Sequence, residues 1–174
     1  MRFNETDAKK YPLCAYYIKH MLSQNMLRHR KQVYDAFIKA CGNQKMAEDA
    51  LSFSSNPRIH VGALLLKKGK KQICGHNMPN FANANYVVVQ GLWFDAFERG
   101  SRVDREKNMI RLESTILHET VHYVRHQAGL MDEDWDNFPD HPMEAGNQFT
   151  KWAYGRSFCT PEDIQDAMFS IRTI

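Results

Sequence analysis

The stretch His118-Glu119-Thr120-Val121-His122 constrains this chain more than any other. It lies inside a run from Arg105 to Gln127 in which Ile110, Ile116, Leu117, Val121 and Val124 recur at helical spacing. Four residues make about one helical turn, so both imidazoles leave the same face of the helix. Two histidines so placed can reach one metal ion, and HExxH within a helix is the pattern of zinc-assisted hydrolysis. The intervening carboxylate can take a proton from a water at the metal's open position. The motif therefore predicts Zn2+ as cofactor, with His118 and His122 as ligands and Glu119 as general base. Asp104 is the expected cap of this helix and Gly129 its expected end.

Two ligands are not a site. A catalytic zinc needs a third protein ligand and keeps one position for water. His126 continues the i, i+4 series, but one straight helix cannot bring it round to close a tetrahedron with the first two. Arg125 and Ala128 stand at the Gly and His positions of HExxHxxGxxH, so that spacing is not met. Glu144 falls in the first turn of a helix that Pro142 is expected to start and that runs to about Tyr154. The loop between the two helices is long enough to bring the second back beside the first. Glu144 is the favoured third ligand, with Asp140, His141 and the loop aspartates as alternatives. Asp132, Asp134 and Asp136 alternate as in a calcium loop, but Met143 holds the position where an EF-hand needs Glu. Tyr154 and His141 are candidates for a transition-state stabiliser beside the metal.

The rest of the chain sets the frame. Its 174 residues suit one domain, and 43% hydrophobic with 25% charged residues is a globular mixture. A net charge of +3 makes no electrostatic demand for nucleic acid. The longest apolar run, Val61 to Leu66, is too short to span a bilayer, and Met1 to Asp7 lacks the apolar core of a signal peptide. The expectation is a protein that stays in the cytoplasm or leaves by a route that reads no such signal. Cys14, Cys41, Cys74 and Cys159 form no metal-knuckle spacing and read as free thiols or buried apolar groups. Two disulfides stay open for a protein working outside a reducing compartment.

Helices are expected from Pro12 through Met21, from about Gln24 to Cys41 with Gly42 as the stop, and from Lys45 to Leu51. Ser52 to Pro57 reads as a connection. Arg58 to Leu66 and Gln72 to Cys74 flank the basic turn Lys67 to Lys71 as a hairpin. Asn77 to Asn85 reads as loop. Tyr86 to Phe94 reads as a strand, with Gly91 marking a bulge or a close backbone approach. Thr160 caps a last helix from Pro161. Nothing divides the chain, so the reading is one α+β domain over residues 1–174. Residues 1–57 form its helical N-terminal region, and residues 58–174 hold the sheet and the active-site helices.

The order of Tyr86 to Phe94, the helix with His118, Glu119 and His122, and then Met143-Glu144-Ala145-Gly146 resembles the zincin metallopeptidases that use a glutamate ligand. That resemblance implies a zincin-like fold, with a small mostly antiparallel sheet, the HExxH helix and a second ligand-bearing helix. More narrowly, HETVH followed by EAGNQFTKWAYG is similar to the metallopeptidase toxin domains of bacterial polymorphic toxins. Those act as effectors of type VI and related secretion systems, sometimes fused to a spike protein. The resemblance covers about residues 58–155. It implies an antibacterial zinc peptidase delivered into target bacteria by a specialised secretion system. Its partners would be a protein or peptide substrate, a cognate immunity protein, and a secretion-system spike or carrier. The motif alone also admits a zinc hydrolase of a non-peptide amide, such as a cell-wall bond, or a regulatory binding module with a vestigial site.

Overall fold

Pro12 sets the start of helix α2 (Pro12–Met21), because its missing N–H falls where a first turn has no partner for one. Before it come strand β1 (Arg2–Phe3) and helix α1 (Glu5–Lys10), whose first turn is capped by the Asn4 side chain accepting from the Thr6 and Asp7 N–H groups. The run from Gln24 to Cys41 is two helices rather than the expected one: α3 (Gln24–His29) and α4 (Lys31–Cys41). The break is Arg30, with φ −103° and ψ 65°. Its guanidinium reaches the carboxylate of Glu113, which is 1% exposed and needs a counter-charge. Gly42 ends α4 in the left-handed region at φ 70°, and Asn43 caps α5 (Gln44–Leu51). In this computed structural model the described residues are 1–52, 55–62, 66–68, 71–73, 75–77, 85–130 and 144–172.

Strands β2 (Arg58–Gly62), β5 (Gly75–Asn77) and β6 (Tyr86–Gln90) join β1 in one sheet of order β1-β2-β6-β5. Strands β3 (Leu66–Lys68) and β4 (Lys71–Ile73) form a short antiparallel hairpin of their own, which corrects the expected one: Arg58–Gly62 pairs in the other sheet, and Lys67, Lys68 and Lys71 lie in the paired strands rather than in the turn. The sheet corrects the expectation of a mostly antiparallel one. β1 runs parallel to β2, and β2 runs parallel to β6 with Arg58 opposite Tyr86 and Gly62 opposite Gln90; only β5 is antiparallel. The long excursion between β2 and β6, which carries the hairpin and β5, supplies the crossover that a parallel pair requires.

The strand expected through Phe94 stops at Gln90, and Gly91 opens helix α6 (Gly91–Arg99). Leu92, Trp93, Phe94, Ala96 and Phe97 are all buried there. An unbroken apolar run is compatible with either element, and here burial on a helix wins. Gly91 is a close approach rather than a bulge: a Cβ on it would stand 3.1 Å from the Gly62 carbonyl oxygen.

Helix α7 (Arg102–Gln127) starts before the expected Asp104 cap. Ser101 is the cap, accepting from the Asp104 N–H at 3.2 Å and donating its hydroxyl to the Asp104 carboxylate. The helix ends as expected near Gly129, which has φ 72°. Ile116, Leu117 and Val121 have no exposed surface, whereas Ile110, expected on the same face, is exposed. Helix α8 (Ala145–Tyr154) begins later than the expected Pro142, with Glu144 as its cap and Gly155 at φ 78° as its end. Pro142, His141, Asp140, Asp132, Asp134 and Asp136 lie outside the described residues. Among the cysteines, Cys14 and Cys41 are buried free thiols and Cys159 is disulfide-bonded; Cys74 lies outside the described residues. No helix among the described residues is long and apolar enough to cross a membrane.

Helix α9 (Pro161–Arg172) is capped by Thr160, as expected, in a reciprocal pair with Asp163. It is bolted to α7 through Arg111, which donates to Asp163 at 3.1 Å and to Asp166 at 2.9 Å. Arg156 adds a second guanidinium on Asp163 at 2.6 Å. Asp163→Ala should destabilise the fold by about 3 kcal/mol, because it strands a buried guanidinium with weaker partners. Urea unfolding measures this, and a change within a few tenths of a kcal/mol would remove the bolt. Burial alone would raise the Asp163 carboxyl, but the hydrogen bonds from Arg156 and Thr160 and the charges of Arg156 and Arg111 outweigh it and hold its pKa below the ordinary value. Its contribution is therefore present above ~3.9 and fades as pH falls through the depressed value. Asp163→Asn should flatten that acid limb of stability against pH.

Candidate metal centre

The centre is built where the N-terminal end of α8 meets the middle of α7. Glu144 leaves the helix backbone as the cap of α8, and its Oε1 accepts from the Asn147 N–H at 3.1 Å. The same carboxylate turns toward α7. Oε1 lies 3.2 Å from His118 Nε2, and Oε2 lies 2.8 Å from His122 Nε2. The two Nε2 atoms are 3.2 Å apart, with their rings inclined at 64°. Two imidazole nitrogens and a carboxylate oxygen thus converge, with all three donor atoms within 4.8 Å of one another. Among the described residues this is the one cluster of three or more such groups that could hold a metal ion.

The electrostatics match the geometry. Burial alone would raise the Glu144 carboxyl, but hydrogen bonds from His118 and His122 and their charge hold it well below the usual carboxylate range. The carboxylate is therefore an anion, and with both imidazoles neutral and Nε2 unprotonated the three groups present the donor set of a cation site. Glu119 stands beside the cluster without joining it. It is 5% exposed, and its Oε1 is 3.8 Å from His118 Nε2.

A family model described as metallopeptidase toxin 3 matches residues 7–155. The chain belongs to this family. The match takes in most of α1 and all of α2 to α5, so the helical N-terminal region from residue 7, which carries no recognisable motif, belongs to the family's domain as well. No curated protein and no solved structure matches the chain. Membership of a metallopeptidase family implies a metal ion, and His118, His122 and Glu144 are the described residues with the chemistry to hold one.

In this metallopeptidase toxin family member the phenol of Tyr154 is turned to Glu113, to which it donates at 2.7 Å, and not to the histidine cluster. Burial and the Glu113 charge push its pKa well up. Tyr17 and both terminal nitrogens of Arg30 donate to the same carboxylate. The other sequence candidate for a stabiliser, His141, lies outside the described residues. Glu113 itself escapes motif reading. A carboxylate between Leu112 and Ile116 on a buried helix is its one signal, since such a group requires donors.

The two roles of Tyr154 are separable. Tyr154→Phe should lower stability by about 1.5–3 kcal/mol, the size of one hydrogen bond to a charged group. Hydrolysis should change by no more than about threefold. A kcat loss of about 10²–10³ would place the phenol at the reaction instead.

Proposed function

We propose that the protein is a zinc-dependent peptidase acting as an antibacterial effector. His118, His122 and Glu144 hold the ion, and Glu119 is the general base. The observation that carries this reading is the convergence of those three donors beside Glu119. Two nitrogens each ~2.0–2.1 Å from a tetrahedral zinc stand about 3.3 Å apart, and the 3.2 Å between the Nε2 atoms supports that fit. Mixed imidazole and carboxylate donors also favour zinc over magnesium or calcium.

When bound, zinc lowers the pKa of water and polarises a carbonyl. Glu119 takes the proton that water releases as its oxygen bonds to the scissile carbonyl carbon. It then gives that proton to the amine nitrogen as the C–N bond breaks. Glu144 supplies the negative charge of the ligand set, and its cap bond to Asn147 fixes the carboxylate in place. The substrate main chain lies extended along β5, which ends the sheet on the side where α7 packs, and adds hydrogen bonds to that edge.

The family supports the toxin role. Delivery by a specialised secretion system on a spike or carrier, with a cognate immunity protein in the producer, belongs to the same proposal. The test is purified protein with unfolded protein substrates and with peptidoglycan fragments. Each is run with the native metal, after chelation, and after zinc is restored. Cleavage of protein that chelation abolishes and zinc restores is the expected result. Cleavage of peptidoglycan alone would make the protein a cell-wall amidase, and none of either would leave a binding module.

A further inference from the structure

We infer that Gly146 is a positioning residue that holds the His118 imidazole in its ligating orientation; the inference rests on the metal-site reading above. Gly146 lies in the first turn of α8, two residues after Glu144, and its backbone faces His118. A Cβ built on it would stand 2.6 Å from each of His118 Cδ2, Cε1 and Nε2. Carbon contacts normally settle near ~3.5–4.0 Å, so no other residue fits without movement. Equal distances to those three ring atoms put the missing Cβ over the face of the imidazole, near its centre. The Nε2 of that ring faces His122 Nε2 and Glu144 Oε1.

Backbone conformation does not explain this glycine. It is helical, outside the positive-φ set of Gly42, Gly129 and Gly155, and glycine within a helix is about 0.5–1 kcal/mol worse than alanine. Contact with the imidazole explains it. Helix α8 cannot simply back away from α7, because Ala145, Phe149 and Ala153 are buried along it and Tyr154 ties its far end to Glu113. An added methyl is relieved by swinging the His118 ring, which carries Nε2 out of the donor triangle. Gly146 thus acts through His118 and touches no reacting atom.

The test is a double-mutant cycle on metal-free protein, followed by metal titration. Melting temperatures are measured for wild type, Gly146→Ala, His118→Ala and the double variant. In the wild-type background Gly146→Ala should lower Tm by about 2–4 °C or more. In the His118→Ala background it should leave Tm unchanged or raise it by about 2 °C, as helix propensity is freed from the clash. The zinc Kd of Gly146→Ala should rise by about 10–100-fold, and the visible spectrum of its cobalt(II) form should change. Equal Tm changes in both backgrounds with wild-type zinc affinity would overturn the inference. A Gly146→Ala protein that folds only once His118 is removed supports it in its strongest form, and failure of both to fold overturns it. Should the wild type bind no zinc, the metal-site reading fails, while the metal-free cycle still decides the contact.

Discussion

Glu119→Gln is expected to keep stoichiometric zinc and to lose about 10³-fold or more in kcat, because a positioned general base contributes about 10²–10⁴. The amide has the size of the carboxylate, so the packing around a side chain only 5% exposed survives. What it lacks is a basic oxygen for the proton of the attacking water. Glu119 is outside the donor triangle, so the ion should stay. Elemental analysis and hydrolysis of a protein substrate on the same preparation separate the outcomes. Near-normal activity would remove the mechanism. Loss of zinc together with activity would make Glu119 a ligand. Expressed in the target compartment, wild type should be toxic and the variant harmless, which a binding module with a vestigial site would not produce.

The features of this molecule that are legible in the sequence are those fixed by neighbours along the chain. HETVH announces its own geometry, since one helical turn aligns His118 with His122. Pro12, Gly42 and Thr160 act on adjacent backbone, and each marks its helix end as expected. The departures share a different origin. Arg30 interrupts a helix because of Glu113, a residue 83 positions away. Tyr154 is drawn to that same carboxylate from the far end of α8. The direction of β2 against β6 depends on the path of the excursion between them, and no residue in either strand records it. Phe94 is apolar whether it continues a strand or turns into α6, so composition could not place the boundary after Gln90. Within the site, the histidine pair is written in local periodicity. The close approach at Gly146 exists only once α8 lies against α7.

The cap role of Glu144 and its proposed ligand role can be pulled apart by substitution, and that makes the third ligand testable. Its carboxylate caps α8 through the Asn147 N–H and faces both histidines. Glu144→Ala should lose both functions: about 1 kcal/mol of helix stability from the missing cap, and the ion. Glu144→Ser retains a good cap, because serine is among the preferred residues there, but its short side chain cannot span to the imidazoles. The serine variant should therefore melt close to wild type when metal-free. Its zinc affinity should nonetheless fall by more than about 100-fold, beyond what loss of a mere supporting contact produces. Hydrolysis should fall with zinc occupancy rather than with stability. If Glu144→Ser binds stoichiometric zinc as tightly as wild type, the carboxylate is only a helix cap. The third ligand would then pass to Asp140, His141 or a loop aspartate, and the alanine variants of Asp140, His141, Asp132, Asp134 and Asp136 would show which one loses the ion. A wild-type affinity in all of those, alongside a serine variant stripped of metal, fixes the ligand on Glu144, because no stability change remains to account for the loss.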